Sequence, residues 1–318
     1  MISKIALEEH FMTPGMEEYW RATVEDLPPA LYKDIHGRLS DFGESRLASM
    51  DTAGISRAVL SLAGPGVQAE PDTATAIRRA KEANDALAAE ITKRPDRYSG
   101  FAHLPMQDGR AAADELERSV RELGLVGGMV NGQTDATYLD HDKYEPFWER
   151  AAALGVPIYI HPNDPPAPYG GWADAKILSR ATWGWTVETA THALRLVFGG
   201  VFDRHPNARV ILGHMGETLP FLLWRLDSRA KLYKAERPLK KEPSAYIREN
   251  ILVTTSGQCA KEPLLCTLAS LGEDRVMFAV DYPFEAADIA GRFLDEVPVS
   301  DAVREGIASG NAKRLLGL

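Results

Sequence analysis

Cysteine and long apolar runs are scarce in this chain of 318 residues, and no excess of basic residues is present. The two cysteines, Cys259 and Cys266, form no C-x-x-C pattern, which favours structural thiols in a reducing compartment. Acidic residues outnumber basic ones by 45 to 36, and the net charge of −9 argues against nucleic acid or an anionic membrane as the partner. No apolar run reaches the ~20 residues of a membrane span, and the N-terminal stretch lacks a signal-peptide pattern. We therefore expect a cytoplasmic globular protein.

A dinucleotide-binding glycine motif is missing as well. No G-x-G-x-x-G follows the first apolar run, which counts against a doubly wound open sheet, the main alternative fold. Short β-branched apolar runs instead alternate with amphipathic helical segments, a pattern typical of βα units around a parallel sheet. Eight such runs predict an α/β fold, a (β/α)8 TIM barrel, forming a single domain over residues 1–318. The predicted strands cover residues 3–7, 57–62, 99–104, 126–130, 157–160, 209–213, 251–255 and 275–280.

Helical periodicity is clearest over residues 74–91, 110–123, 144–154 and 186–202. Three longer stretches, 12–44, 163–182 and 234–248, show no clear period. Loops after the first and fifth strands of a barrel lie over its carboxyl-terminal mouth, where active sites occur. We therefore expect the first two stretches to border an active site, with Trp20 as a candidate lid residue.

The first strand ends in the sequence ALEEHF, which carries two carboxylates and a histidine. Side chains alternate along a strand, so Glu8 and His10 share one face, roughly 7 Å apart, and Glu9 points to the other. A strand end with solvated charges would give the same sequence. The pattern becomes informative only when the other strand ends are considered.

Three further predicted strands also end in residues that can bind metal. His161 follows the fifth run, His214 follows the sixth with Glu217 three residues later, and Asp281 follows the last. Two neutral imidazoles and two carboxylates form a competent site for Zn²⁺ or Mn²⁺, with positions left open for substrate. The sequence therefore predicts one divalent metal ion at the mouth of the barrel. A flavin fingerprint and a pyridoxal-binding lysine motif are both absent, so we expect no organic cofactor.

Several segments together resemble the amidohydrolase superfamily. The chain is most similar to its metal-dependent, non-oxidative aromatic acid decarboxylases, which are related to aminocarboxymuconate semialdehyde decarboxylase, and in particular to the γ-resorcylate (2,6-dihydroxybenzoate) decarboxylases. The resemblance covers nearly the whole chain and is carried by ALEEHF, RLASMDTAGISRAVLSLAGPGVQ, RPDRYSGFAHLPMQD, GLVGGMVNG, YIHP, VFDRHPNARVILGHMGETLPFLLWRLD, TTSG, DYPFE and NAKRLLGL.

The resemblance implies roles for particular residues. The metal ligands would be Glu8, His10, His161 and Asp281, with Glu8 in place of the first histidine of the H-x-H motif of many hydrolytic members. His214 and Glu217 would form a pair near the substrate. In the family, an arginine matching Arg225 comes from a neighbouring subunit to meet the glutamate matching Glu217, so Arg225 would be a substrate-binding residue of a homodimer or homotetramer.

A decarboxylase mechanism can be written for these residues. We hypothesise that Asp281 protonates the carboxylated ring carbon and that His214, held by Glu217, orients the substrate and assists the transfer. The metal would chelate a phenolate and a carboxylate oxygen of a small aromatic carboxylate. We expect Asn131, Trp185 and Phe284 to contact the ring, although packing explains both aromatic residues equally well.

Two other functions fit the same residues. One is a metal-dependent hydrolase acting on an ester, lactone or amide, and the other is a metal-binding scaffold without activity. Among decarboxylases, the sequence leaves 2,6-dihydroxybenzoate, 2,3-dihydroxybenzoate, salicylate and 5-carboxyvanillate open as substrates. It also leaves Mn²⁺ and Zn²⁺ open, because carboxylates suit the harder ion and imidazole suits both.

Overall fold

A computed structural model describes residues 2–167, 169–172, 174–233 and 237–318. Residues 168, 173 and 234–236 of the two later non-periodic stretches therefore lie outside the described residues. Within the described residues, no helix combines the length and the apolar character that a membrane crossing requires.

Parallel strands alternate with helices along the described chain, as the sequence predicts. The strands are β1 Lys4–Phe11, β2 Ile55–Leu62, β3 Tyr98–Gly100, β4 Ala102–His103, β5 Gly128–Asn131, β6 Ile158–His161, β7 Val210–Leu212, β8 Ile251–Thr254 and β9 Val276–Met277. The α-helices are α1 Glu17–Arg21, α2 Pro29–Ser40, α3 Glu44–Ala53, α4 Thr73–Lys93, α5 Gly109–Arg121, α6 Glu145–Leu154, α7 Gly184–Phe198, α8 Val201–Arg204, α9 His214–Glu217, α10 Leu219–Ala230, α11 Pro243–Asn250, α12 Lys261–Leu271, α13 Ala287–Glu296, α14 Asp301–Glu305 and α15 Asn311–Leu316.

The strands form a barrel in chain order. The order β1-β2-β3 continues into β4-β5-β6-β7-β8-β9, because β3 and β4 are two parts of one extended segment interrupted at Phe101. The ends of the sheet meet through backbone hydrogen bonds from Leu7 N to Phe278 O, 3.2 Å, from Asp281 N to Glu8 O, 3.0 Å, and from His10 N to Tyr282 O, 2.7 Å. The segment after β9 therefore lies beside β1, and the predicted (β/α)8 architecture is confirmed.

Local sequence signals explain where the longer helices begin and end. The Asp72 side chain accepts a hydrogen bond from Thr75 N at the start of α4, and Asp108 does the same for Arg110 N and Ala111 N at the start of α5. Gly54 ends α3 with φ +72°, a conformation that glycine adopts without steric cost. The longer helices α4 and α5 contact the barrel strands β3 and β4, whereas α1 and α2 border the cavity at the carboxyl ends of the strands.

Two apolar clusters separate the inside of the barrel from the helical layer. The inner cluster comes mostly from alternate positions of the strands and their extensions, with Ala312 added by α15. It consists of Ile5, Leu7, Val59, Phe101, Met129, Tyr159, Ile211, Leu252, Met277, Ala279 and Ala312. The larger outer cluster lies between the strands and the surrounding helices. The barrel interior is thus a packed core, and only its mouth leaves room for chemistry.

Two expectations from the sequence need correction. The stretch 12–44 is largely helical, because α1 and α2 lie within it and pack Trp20, Ile35 and Leu39 into the core. The predicted helix 186–202 is two helices, α7 and α8, because Gly199 and Gly200 interrupt it, with Gly200 at φ +70°.

Candidate metal centre and active site

The structure brings the four predicted metal-binding side chains together at the carboxyl ends of three barrel segments. Glu8 and His10 come from β1, His161 ends β6, and Asp281 follows β9. One ligand atom from each lies within 4.8 Å of those of the others. Across this group, His161 Nε2 is 3.5 Å from Glu8 Oε1, and His10 Nε2 is 3.3 Å from Asp281 Oδ1.

A register shift in β1 aims both of its ligands inward. Ala6 pairs with Ala58 and Glu9 with Leu60, so β1 carries an extra residue between these pairs. Ile5 and Leu7 belong to the interior cluster, whereas Glu8 and His10 face the mouth. Odd-numbered side chains therefore point inward before the shift and even-numbered side chains point inward after it. The inward-facing side chains change there from apolar to metal-binding.

Hydrogen bonds fix the orientation of the ligands. His161 Nδ1 donates to Pro162 O at 2.8 Å, so Nε2 is the atom presented to the group. His10 Nδ1 lies 3.2 Å from Ser61 Oγ, which likewise leaves Nε2 free. The Tyr159 hydroxyl donates to Glu8 Oε2.

The donor set fits a divalent cation. Glu8 Oε1 and His10 Nε2 are buried and have no hydrogen-bond partner among the described residues, an expensive arrangement unless a further group binds them. Burial lowers the pKa of His161 to about 3, so its imidazole is in the neutral form that coordinates metal. Two imidazole nitrogens and two carboxylates supply mixed N/O ligation with net charge −2, matched to a 2+ ion.

His214 and Glu217 form an acid–base pair beside this group. His214 Nδ1 and Glu217 Oε1 are 2.7 Å apart, and Thr186 Oγ1 donates to Glu217 Oε2 at 2.8 Å. His214 Nε2 faces Asp281 Oδ2 at 3.6 Å. Three residues here, His214, Glu217 and Asp281, have positive φ values of 49°, 53° and 81°, a strained conformation that is typical of functional sites.

The electrostatics of the pair favour a proton on the imidazole. Burial alone would lower the pKa of His214, but the carboxylates of Glu217 and Glu8 outweigh it and hold that pKa well above its usual value. Burial alone would raise the pKa of Asp281, but the neighbouring imidazoles of His10 and His214 hold that pKa below its usual range. In the metal-free site these directions favour an imidazolium at His214 next to a carboxylate at Asp281.

A cavity of about 610 Å³ opens onto these residues. Trp185 and Phe284, both predicted ring contacts, line it, and the Phe284 ring lies 5.7 Å from the His10 ring. Asp164 Oδ1 accepts a hydrogen bond of 2.7 Å from Trp185 Nε1 and so fixes the plane of the indole. Trp20 lines the cavity as well, so three aromatic side chains border it beside the candidate metal centre.

Two predicted substrate-binding residues lie elsewhere within the protomer. Asn131 is fully buried at the end of β5, where its amide donates to Pro65 O at 3.4 Å, and it does not line the cavity. Arg225, on α10, lines a different cavity of about 800 Å³ with Arg195 and Arg229. The structure therefore does not bring either side chain to the metal-binding group of its own chain.

Other residues of the site were missed in the sequence. Tyr159 precedes His161 by two positions, so strand alternation could have placed both on the same inner face. Arg38 and Arg180 also line the cavity. Both fall in the stretches without clear period, where no local pattern predicts which side chains point towards the mouth.

With this geometry established, similarity to known proteins identifies the family. Residues 26–318 match the family described as Amidohydrolase, and the chain belongs to that family. It is 41% identical to a gamma-resorcylate decarboxylase of Rhizobium sp. (strain MTP-10005) over 100% of this chain and 99% of the relative.

Solved structures agree with the sequence relatives. A 2,6-dihydroxybenzoate decarboxylase complexed with 2,6-dihydroxybenzoate matches with a TM-score of 0.93 and 40% identity, covering 100% of both chains. A dihydroxybenzoic acid decarboxylase from Polaromonas sp. JS666, with bound manganese and 2-nitroresorcinol, matches with a TM-score of 0.92 and 41% identity over 100% of this chain and 98% of that chain.

Proposed function

We propose that this protein is a metal-dependent carboxy-lyase that removes CO2 from a hydroxylated benzoate without oxidation, with 2,6-dihydroxybenzoate as its substrate. The observation that carries the proposal is the meeting of Glu8, His10, His161 and Asp281 within 4.8 Å, beside the His214–Glu217 pair and an aromatic-walled cavity. The full-length similarity to gamma-resorcylate decarboxylases supports the same substrate. We further propose that residues 1–318 act as one catalytic domain in the cytoplasm.

One divalent ion per chain would be held by Glu8, His10, His161 and Asp281. When bound, it would supply positive charge that chelates and orients the phenolate and carboxylate oxygens of the substrate. Mn²⁺ is the first choice, because a similar structure holds manganese, and Zn²⁺ is the alternative that this donor set also suits. No organic cofactor is proposed, because protonation of the ring gives the electrons of the broken C–C bond a place to go.

The proton for the reaction would pass through His214 and Asp281. The imidazolium of His214, stabilised by Glu217, is the proton reservoir, and its Nε2 is 3.6 Å from Asp281 Oδ2. Asp281, protonated from His214, delivers the proton to the carboxylated ring carbon, where an ortho hydroxyl raises the electron density. Thr186 and Glu217 keep the imidazole aimed during this transfer.

The balance of the step is simple. A C–H bond forms at the ring carbon while the Asp281 O–H bond breaks, and the ring temporarily loses its aromaticity. The C–C bond to the carboxylate then breaks, its electron pair restores the aromatic ring, and CO2 leaves. Asp281 returns to a carboxylate, and one proton per turnover comes from solvent through His214. The same steps in reverse would carboxylate the phenol.

We propose that the active form is a homodimer or homotetramer in which Arg225 of a neighbouring copy meets Glu217. The surface of α10 supports this proposal, since Phe221 and Trp224 are 81% and 79% exposed beside Arg225. Sedimentation of the Trp224→Glu variant provides the test. A monomeric variant with reduced turnover is expected, and a monomeric wild-type protein with full activity would contradict the proposal.

Incubation of the manganese-loaded protein with 2,6-dihydroxybenzoate tests the reaction directly. We expect resorcinol and CO2 in equal amounts, and in D2O a single deuterium at the carbon that carried the carboxylate. Hydrolysis of an ester, lactone or amide without CO2 release would favour the hydrolase alternative. Metal binding with no turnover of any hydroxybenzoate would favour a scaffold.

Substitutions at the two proton-transfer residues test the mechanism. Asp281→Asn and His214→Asn should each reduce turnover by ~10²-fold or more, as expected for the loss of a general acid. Glu285→Gln is the matched control, because this carboxylate also lines the cavity but has no assigned role. Turnover within a few-fold of wild type for Asp281→Asn or His214→Asn would rule out the role assigned to that residue.

A further inference from the structure

Glu9 and Arg46 are buried next to the candidate metal centre, yet the proposed mechanism uses neither. They are 3% and 1% exposed. Burying an acidic and a basic side chain is costly unless their polar atoms are satisfied, so such residues usually have a specific task. Their contacts lie on two of the three segments that carry the candidate metal ligands, β1 and the 280–282 segment.

The Glu9 side chain links β1 to the last barrel segment. Its Oε1 accepts a hydrogen bond from Val280 N at 2.9 Å, and the Glu9 backbone bridges to Tyr282. This contact joins the strand of Glu8 and His10 to the residue directly before Asp281. The barrel is closed at this position mainly by a few backbone hydrogen bonds. One added side-chain hydrogen bond therefore helps to fix the position of the 280–282 segment relative to β1.

Arg46 fixes the other side of the same ligands. Its Nη2 donates to His10 O at 2.7 Å, and its guanidinium lies 4.6 Å above the Tyr282 ring. Its Nε donates to Asp41 O at 2.8 Å, which anchors the guanidinium. The Arg46 side chain therefore binds the carbonyl of His10 and packs on Tyr282, which directly follows Asp281.

Asp281 needs this support more than the other ligands. Its φ of +81° is unfavourable for a residue with a Cβ and persists only where neighbouring contacts enforce it. Glu9 binds the residue before Asp281, and Arg46 packs on the residue after it. Together they restrain the peptide on both sides of the strained ligand.

We propose that Glu9 and Arg46 are positioning residues that set the metal affinity of the site by holding His10 and Asp281 in register across the barrel closure. This inference rests on the metal centre of the proposed function, but not on the identity of the substrate. Residues that orient metal ligands typically change metal affinity by about 10- to 100-fold when they are replaced.

Titration of the metal-free, full-length protein with Mn²⁺, followed by electron paramagnetic resonance, tests the proposal without any substrate. Glu9→Leu and Arg46→Met should bind Mn²⁺ about 10- to 100-fold more weakly than wild type. Glu9→Gln keeps an oxygen that can accept from Val280 N, so its affinity should stay within about 3-fold of wild type. With Mn²⁺ saturating, the KM for 2,6-dihydroxybenzoate should be unchanged in all of these variants.

A buried carboxylate elsewhere gives the matched control. Glu115 is 1% exposed and binds Asn84 and Arg118, none of which belongs to the metal centre. Glu115→Leu should lower the melting temperature and leave Mn²⁺ affinity unchanged, which separates positioning from general stability. If Glu9→Leu does not fold, Glu9→Asp takes its place, because its carboxylate is one carbon too short to reach Val280 N.

The proposal would be overturned if both Arg46→Met and a folded Glu9 variant, Glu9→Leu or Glu9→Asp, bind Mn²⁺ with wild-type affinity. An equal loss of Mn²⁺ affinity in Glu115→Leu would also overturn it. Wild-type protein that binds Mn²⁺ but releases no CO2 would refute the proposed function and leave this inference standing. Wild-type protein that binds neither Mn²⁺ nor Zn²⁺ would overturn both.

Discussion

Replacing Gly213 with alanine should weaken metal binding while leaving the barrel folded. Gly213 lies between β7 and α9 with φ −71° and ψ −171°, a conformation that alanine adopts without strain. A Cβ at this position would be 2.6 Å from Glu8 Oε2 and 3.3 Å from the Tyr159 hydroxyl oxygen. The methyl group would therefore collide with a ligand side chain and not with the backbone.

The size of the effect follows from the distances. Ordinary contact between carbon and oxygen begins near 3.5 Å, so the Glu8 carboxylate would have to move by roughly 0.9 Å. Metal–ligand distances tolerate about 0.2 Å, so this displacement takes one ligand out of the site. We expect Mn²⁺ affinity to fall by about 10- to 100-fold, which corresponds to roughly 1.4 to 2.7 kcal/mol.

Mn²⁺ titration of the metal-free Gly213→Ala protein, with a thermal melt of the same sample, measures this effect. Gly37→Ala is the matched control, because Gly37 lies in α2 and its Cβ would meet no atom within 4 Å. The control should gain up to about 1 kcal/mol of stability from higher helix propensity and keep its metal affinity. Mn²⁺ affinity within 3-fold of wild type in Gly213→Ala would refute the reasoning.

Three further changes have expected outcomes. Removing the metal with a chelator should lower the melting temperature, and Mn²⁺ at 100 times its Kd should restore about 2.7 kcal/mol; no shift would contradict a folded-state metal site. Burial lowers the pKa of His192 to about 3, so the folded state binds fewer protons than the unfolded chain below pH 6.5 and loses stability as the pH falls. From pH 7 to pH 5 this loss is about 2 kcal/mol, and urea unfolding of His192→Gln in chelator should show a smaller pH dependence than wild type by that amount. Asp164→Leu releases the Trp185 indole and should raise the KM for 2,6-dihydroxybenzoate several-fold. Asp164→Asn keeps an acceptor for the indole and should leave the KM unchanged. The same KM in both variants would exclude a role for the indole orientation.

The sequence predicts the barrel and the strand-end residues because both depend on short-range patterns. Apolar strands recur between helices, and parallel strands place their carboxyl ends at one mouth. Each of His161, His214 and Asp281 directly follows such a strand, so their convergence requires only the topology. The strand limits differ by a few residues from the prediction, which does not affect this argument.

Features that depend on packing between loops could not be predicted. Asn131 ends β5 as expected, but the loop after β2 covers it, and its amide binds Pro65 O instead of facing the cavity. Arg38 lies on α2, whose helical period is not clear in the sequence, and Arg180 lies in an irregular segment, where its guanidinium binds the backbone oxygens of Ala22 and Thr23. No periodic signal in a single sequence encodes these contacts.

The prediction that Glu8 and His10 share a face is correct because of where the β1 irregularity falls. A register shift reverses the inward phase of every residue beyond it, so simple alternation fails across the shift. In β1 the shift lies between Ala6 and Glu9, and Leu7 and Glu8 both face the interior. Had the shift fallen between Glu8 and His10, the two side chains would point to opposite faces, and the prediction from simple alternation would have been wrong. The irregularity thus joins a packed apolar interior directly to a polar mouth, and it leaves Glu9 on the outer face, where its carboxylate binds the segment that carries Asp281.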